Sequence, residues 1–364
     1  MEINKSMASS FNASMMINSN QSYVHCGLDP RQVSLVKLTA FIILMVAALA
    51  GNILVCLIVY KNTKMRNTLN YLLVNMAISD LVIPILASTT RIIELSTQNS
   101  EWRVEGDIGD FLCKFVFFVL DISPIVSILS LVLITFDRFA AVVFPFMATK
   151  LSSRFRKYFI GLTWIIAMAF CSPHFYAVKL QNKFCVMDWD SIRARVIYTI
   201  MLMVLFIIIP FVLLLVMYSM ILYKMKTRPK NLNQTEKGRR RRQLSKRNIT
   251  LLSFAVVLVY AFCWGPYFTI LMVTTFKWRF YLSLAPCYWN DILFVVQYLA
   301  YSNAAINPFL YFIFLKNYRT GLKNIIPMIR CFNRYRVIKT ARSLMVRNTS
   351  QRENGNTVEI EARL

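Results

Sequence analysis

The sequence predicts an all-α membrane protein: a seven-transmembrane helix bundle with a short amphipathic surface helix after span seven. Three observations carry that prediction. Of 364 residues 57% are hydrophobic and only 16% charged, against about 25% charged in soluble domains. The apolar residues gather into seven continuous runs, each at least the ~20 residues a helix needs to cross a bilayer, and too long for barrel strands. The basic residues concentrate in alternate gaps between those runs, the pattern that sets topology in a membrane.

In chain order, residues 1–32 form a polar tail with no apolar core of signal-peptide type. It carries Asn-X-Ser sequons at Asn4, Asn12 and Asn20, usable for glycosylation only if this end is extracellular. The bundle is expected over 33–315. Its spans are Val33 to Tyr60, Leu69 to Leu95, Phe111 to Pro145, Phe159 to Val178, Ile192 to Tyr223, Ile249 to Phe276 and Ile292 to Leu315. The third contains Asp121 and Pro124 within its apolar run and ends in Asp137-Arg138. An ionisable group there is costly unless it faces protein or a water-filled cavity, which places this span in the middle of the bundle. Beyond span seven, Phe314, Tyr318, Leu322 and Ile325 recur at helical spacing among basic residues, and Pro327 follows as a stop. This predicts a helix over 316–330 lying on the membrane surface. Cys331 is a site for palmitoylation, a plain cytosolic thiol being the alternative. The tail 331–364 ends in a polar stretch expected to be disordered.

A formal net charge of +25 raises nucleic acid as a partner, but the placement of the charges argues for topology and against nucleic acid. Lys61, Lys64 and Arg66 follow span one; Lys150, Arg154, Arg156 and Lys157 follow span three. Lys224, Lys226, Arg228, Lys230 and Arg239-Arg240-Arg241-Arg242 follow span five, against Glu236 alone. Glu101, Glu105, Asp107, Asp110, Asp188, Asp190 and Asp291 fall in the other gaps. The positive-inside bias then puts the N-terminus outside and the C-terminus in the cytosol. The Arg239 run reads as a solvated cytosolic loop, with a nuclear signal or an anionic-lipid contact as alternatives.

The spans carry motifs. Gly51-Asn52 lies in span one, Asn75-Met76-Ala77-Ile78-Ser79-Asp80 in span two, Cys113 and Asp137-Arg138-Phe139 at the two ends of span three, and Trp164 in span four. Pro210 lies in span five, Cys263-Trp264-Gly265-Pro266 in span six, and Asn307-Pro308-Phe309-Leu310-Tyr311 in span seven. Each is weak alone; together, each in its own span, the set resembles the rhodopsin-like family of G-protein-coupled receptors, most of all its peptide-receptor type. The resemblance implies a plasma-membrane receptor that binds an extracellular ligand and activates a heterotrimeric G protein, with arrestin, a receptor kinase and membrane lipid as further partners.

The residues allow a physical reading beside that resemblance. Asp80 is a carboxylate deep in a helix, which needs hydrogen-bonding neighbours or a cation. The resemblance nominates Ser127, Asn303 and Asn307 as partners around an allosteric Na⁺. No other cofactor is expected. Pro210, Pro266 and Pro308 each remove a helix hydrogen bond and permit a kink. Trp264 beside Pro266 has the bulk to adopt two packings, and the family resemblance makes this pair a toggle and hinge, with Tyr311 in the same switch. Asp137 gives Arg138 a local partner, and the resemblance makes Arg138 the G-protein contact. Departures are Phe139 in place of the commoner Tyr, Tyr260 in place of Phe, and Lys246-Arg247 at the start of span six. With no acid there, an ion-pair clamp from span six onto Arg138 is not available.

Cys56, Cys171 and Cys263 lie within spans and read as packing residues. Cys113 and Cys185 resemble the family's disulfide between span three and the second outer loop. Cys26 and Cys287 are the remaining outer cysteines, and resemble a second bridge shared by several peptide and chemokine receptors. Leu120 stands where amine receptors place an aspartate, and Tyr301 where opsins hold the retinal lysine, which argues against both ligands. The outer half offers Arg91, Glu94, Asp121, Tyr267, Phe294, Gln297, Tyr298 and Tyr301. Mixed charges among aromatics suit a peptide with a basic group near Asp121 or Glu94. The alternative within the fold is a lipid or small-molecule sensor. A transporter, the alternative of another class, is expected to show repeats or paired broken helices, and a channel needs a filter segment; neither is visible. An enzyme is not expected, because His25 and His174 are the chain's two histidines and show no metal-ligand spacing.

Overall fold

The computed structural model describes residues 30–144, 156–227, 236–277 and 289–325. Long helices dominate. They are α1 (Pro30–Lys61), α2 (Thr68–Thr97), α3 (Gly106–Val143), α4 (Arg156–Cys171), α5 (Ile192–Lys224), α6 (Glu236–Met272) and α7 (Trp289–Phe314). Six of the seven helical segments are long and apolar enough to cross a membrane by length and hydropathy. The seventh, α7, has 26 residues, about 39 Å at 1.5 Å per residue. It turns the polar side chains of Gln297, Asn303 and Asn307 into the interior, where all three are buried. Residues 316–325 form a further helix, α8, on the stretch whose spacing predicts the surface helix.

Within the bundle α3 is the central element, packing against α2, α4, α5 and α6. α1 packs against α2 and α7, and α7 against α6, so α7 closes the wall. Proline geometry shapes three helices. Pro84 sits in a wider-turn segment of α2, Ile83–Ser88, and a similar segment in α5, Val204–Ile208, ends two residues before Pro210. Such wide turns relieve the clash that a proline ring makes with the preceding turn. In α7, Pro308 has no N–H for the carbonyl of Ala304, four residues back. Asn52 of α1 satisfies that carbonyl: its Nδ2 donates to Ala304 O at 2.8 Å and to Ala48 O at 2.9 Å. Gly51 lets the two helices come this close, since a Cβ there would lie 2.9 Å from the Pro308 ring. A second polar knot joins α2, α3 and α4. Asn75 Nδ2 donates to Ser130 Oγ at 2.9 Å, while Trp164 Nε1 donates to Asn75 Oδ1 at 2.8 Å.

Three element boundaries depart most from the sequence expectation, and a hairpin is added. α3 begins at Gly106, ahead of Phe111, because Glu105 is extended and Asp107 suits the first turn of a helix. α4 stops at Cys171, short of Val178; Pro173 cannot continue the ladder and disfavours helix at Ser172. A single turn, His174–Ala177, follows it. Val178–Gln181 then pairs antiparallel with Phe184–Met187 as a β-hairpin, β1 and β2. The Arg239–Arg242 run, expected in a loop, falls inside α6, which begins at Glu236. Arg is a good helix former, so nothing local stops α6 from extending past the apolar stretch.

Candidate functional site

The hairpin covers one end of the bundle. Its two turn residues, Asn182 and Lys183, both have positive φ (50° and 67°), the twist that a two-residue hairpin loop demands. Cys185 on β2 is bonded to Cys113 near the start of α3, and both are fully buried with Phe117 and Val178, under Trp102, Leu180 and Met187. Asp110 on α3 accepts from the backbone N–H of Leu180 at 3.1 Å, and the backbone N–H of Trp102 donates to Lys183 O at 2.7 Å. Past β2, Asp190 accepts a hydrogen bond from the Tyr176 hydroxyl. That bond and the nearby Lys179 ammonium hold the Asp190 carboxyl below the usual carboxylate range.

Beneath the hairpin lies a cavity walled by α3, α5, α6 and α7. Asp121, Tyr267 and Tyr301, all expected at the site, line it together with Leu120, Phe117, Phe206, Trp264 and Phe268. Four further lining residues were not singled out from the sequence: His174, Trp189, Arg195 and Tyr198. Asp121 keeps 51% of its side chain exposed to this space, and its Oδ2 lies 2.7 Å from Nε2 of His174, which is 1% exposed. Tyr198 donates from its hydroxyl to the carbonyl of Phe170 at 3.0 Å. Arg195 is buried in the first turns of α5, and a charge inside a spanning segment was itself a readable signal. The floor is aromatic: the Trp264 ring stacks on Phe268 and Tyr260 and meets Tyr267 edge-on, with centroids 5.8 to 6.2 Å apart.

The other expected ligand residues lie elsewhere at the same end. Arg91 Nη1 meets Glu94 Oε2 at 2.6 Å and Arg91 Nη2 meets Gln297 Oε1 at 2.9 Å, tying α2 to α7. Ser100 donates to the other oxygen of Glu94 at 2.8 Å. Glu94 is therefore already neutralised by its own helix, whereas Asp121 opens onto the cavity. Phe294 and Tyr298 face α1: each ring centroid lies 5.6 Å from that of Phe41. Asn4, Asn12, Asn20, Cys26, Cys287 and Cys331 lie outside the described residues.

Deeper in the bundle Asp80 is buried. Ser127 Oγ donates to its Oδ1 at 3.0 Å and Asn307 Nδ2 donates to its Oδ2 at 2.8 Å. Asn303 is buried on α7, and the Oδ1 atoms of Asn303 and Asn307 accept no hydrogen bond among the described residues. The Asn307 amide, the Asp80 carboxylate and the Ser127 hydroxyl are oxygen-bearing groups in mutual contact, the ligand type that a hard cation takes. At the opposite end from the hairpin, Arg138 is paired with its neighbour Asp137, Nε to Oδ2 at 3.1 Å. Among the described residues no ion pair reaches Arg138 from α6. Pro266 and Pro308 lie inside their helices, and Tyr311 is fully buried.

Comparison with known proteins gives this arrangement its context. The family described as "7 transmembrane receptor (rhodopsin family)" matches residues 51–311. A QRFP-like peptide receptor of Branchiostoma floridae is 30% identical over 312 residues, 81% of this chain and 78% of that protein. Neuropeptide FF receptor 2 of Mus musculus is 28% identical over 335 residues, covering 84% and 76%. The pyroglutamylated RF-amide peptide receptor of Mus musculus is 26% identical over 307 residues, covering 80% and 69%.

Proposed function

Because this chain belongs to the rhodopsin family of seven-transmembrane receptors, we propose that a peptide entering the cavity under the hairpin drives activation of a heterotrimeric G protein at the Arg138 end. The receptor sits in the plasma membrane with its N-terminus and hairpin outside. The observation that carries the ligand class is Asp121, the sole acid among the described residues that line a cavity walled mostly by rings and aliphatic groups, with Arg195 as the basic residue on its α5 side. A cationic side chain flanked by an aromatic one matches that wall, the charge on the carboxylate and the ring on Tyr267, Trp264 or Phe268. The relatives are named for peptides, one of them for an RF-amide. In one-letter terms that name is a basic residue beside an aromatic one with a neutral amide end, and we extend this chemistry to the present chain.

The remaining partners belong to the same reading. Arrestin and a receptor kinase act on the cytosolic face, and lipid surrounds the bundle. Asp80, Ser127, Asn303 and Asn307 would hold a Na⁺ ion; when bound, it supplies charge that neutralises the buried carboxylate. To test the ligand class, tissue extracts are screened on receptor-expressing cells before and after protease treatment, alongside synthetic peptides ending in Arg-Phe-amide. Protease-sensitive activation and a response to the amidated peptides are expected. Activation that survives protease and partitions with lipid would replace the peptide reading with a lipid-sensing one.

A further inference from the structure

The His174–Asp121 contact fixes a proton count. His174 Nδ1 lies 2.8 Å from the carbonyl oxygen of Cys171. A carbonyl only accepts, so Nδ1 carries a hydrogen. The Tyr198 hydroxyl is consistent with this: its own hydrogen goes to the Phe170 carbonyl, and its oxygen, 3.5 Å from Nδ1, faces the ring as an acceptor. In a neutral ring with Nδ1–H, the other nitrogen bears a lone pair. Yet Nε2 approaches Asp121 Oδ2 to 2.7 Å, though without the alignment of a linear hydrogen bond. Two lone pairs do not settle at the separation of a charge-assisted pair, about 2.7–2.9 Å, unless a proton lies between them. The ring is buried and held from two sides, so it has no alternative partner to turn to.

The surroundings leave this proton without a competing acceptor. Asp121 is the sole acid among the described residues that line the cavity. From α5, Tyr198 and Arg195 face the space, and Arg195 interacts electrostatically with Asp188. Asp188 and Asp190 themselves lie 3.3 and 3.6 Å from the Lys179 ammonium. The hairpin side adds the side chains of Met187 and Trp189, α4 contributes the Cys171 carbonyl, and α6 and α7 add the hydroxyl-bearing Tyr267 and Tyr301.

We propose that His174 is an internal counter-ion that occupies Asp121 in the unliganded receptor, and that a cationic ligand group takes its place with release of one proton. This rests on the reading of the cavity as the ligand site. In the exchange the ligand cation forms its ion pair with the Asp121 carboxylate, the Nε2–H···Oδ2 contact breaks, and the Nε2 proton leaves to solvent. His174 remains neutral with Nδ1–H still on the Cys171 carbonyl. Asp121 is thereby never left as a bare carboxylate in a low-dielectric space, and a ligand with no positive group cannot displace the imidazolium. His174 is a positioning residue that raises the threshold for entry and selects for charge.

The chain's two histidines make the test direct. His25→Gln receptor, ¹⁵N-labelled at histidine and reconstituted in nanodiscs, gives a single imidazole, whose ¹⁵N shifts report its protonation. Without ligand at neutral pH, the ring is expected to be doubly protonated, and Asp121→Asn is expected to return it to the neutral Nδ1–H form. The probe is then the N-acetylated dipeptide Arg-Phe-amide, with N-acetyl-citrulline-Phe-amide as its uncharged twin, since a free α-amino group would itself be cationic and titrate near neutral pH. Arg-Phe-amide should convert the ring to neutral, and its affinity should rise by about tenfold per pH unit at the limiting slope for one released proton. The dependence should be lost in Asp121→Asn and His174→Gln. A neutral ring in the unliganded parent would overturn the proposal, as would a ring that stays doubly protonated with Arg-Phe-amide bound. A dipeptide that fails to bind counts against the peptide reading alone, because the unliganded spectrum still decides the proton count.

Discussion

Asn307 on α7 donates to the Asp80 carboxylate on α2 at 2.8 Å, joining two helices one residue before the Pro308 break. Ser127 holds the other carboxylate oxygen from α3. Three helices therefore meet on one buried charge, and any rearrangement of α7 about Pro308 changes how that charge is satisfied.

Agonist affinity is expected to fall as Na⁺ replaces choline at constant ionic strength. A cation held by Asp80 stabilises one bundle state, and an agonist that favours another is weakened by the same factor. Couplings of this kind run from about fivefold upward. Asp80→Asn keeps the shape and removes the charge, so the sodium dependence should vanish in radioligand competition. An undiminished dependence in Asp80→Asn would leave Asp80 as a hydrogen-bonded packing group.

Asp121→Ala should weaken a cationic peptide agonist by about 1.5–3 kcal/mol, the range for hydrogen bonds to charged groups. Glu94→Ala should cost less, because Glu94 is already matched by Arg91 and Ser100. Concentration–response curves at matched surface expression measure both. Equal losses in the two variants would show that the Arg91–Glu94 pair opens to the ligand.

Gly51→Ala should lower the thermal stability of the solubilised receptor. The added methyl meets the Pro308 ring at 2.9 Å, and overpacking of a close contact costs about 1–3 kcal/mol. The Asn52 bond to Ala304 would stretch with it. Unchanged unfolding temperature, read by a thiol-reactive dye, would mean that α1 and α7 separate without penalty.

With no ion pair from α6 onto Arg138 among the described residues, the resting state lacks one restraint. Ligand-free signalling above the level of untransfected cells is expected. Thr250→Glu places an acid on a buried position of α6 and should lower it. Silence in the parent at matched expression would mean that other contacts hold the resting state.

The bundle was legible because each span is a long apolar run, and hydropathy reports burial in lipid directly. The deep polar residues were legible for the same reason: a carboxylate such as Asp80 stands out where water is absent. The hairpin was not. Its strands are four residues each, and its turn uses Asn182-Lys183 in place of the Asn-Gly that marks most two-residue loops. The His174 contact was hidden too, since it depends on the Pro173 break and on the rotation of α3 against the end of α4. Phe294 and Tyr298, four residues apart, share the edge of α7 that meets α1. Tyr301, a turn deeper, reaches the cavity, and spacing alone does not separate those edges.

Occupancy of the cavity under the hairpin is expected to drive nucleotide exchange on a G protein at the Arg138 end. The most direct measurement is GTP-analogue uptake by purified heterotrimer mixed with receptor in nanodiscs, with and without an agonist peptide recovered from the extract screen. Peptide-dependent acceleration is expected, shifted to higher peptide concentration in Asp121→Ala and abolished in Arg138→Ala while peptide binding persists. Peptide binding to the parent receptor with no acceleration across the G-protein subtypes would contradict it.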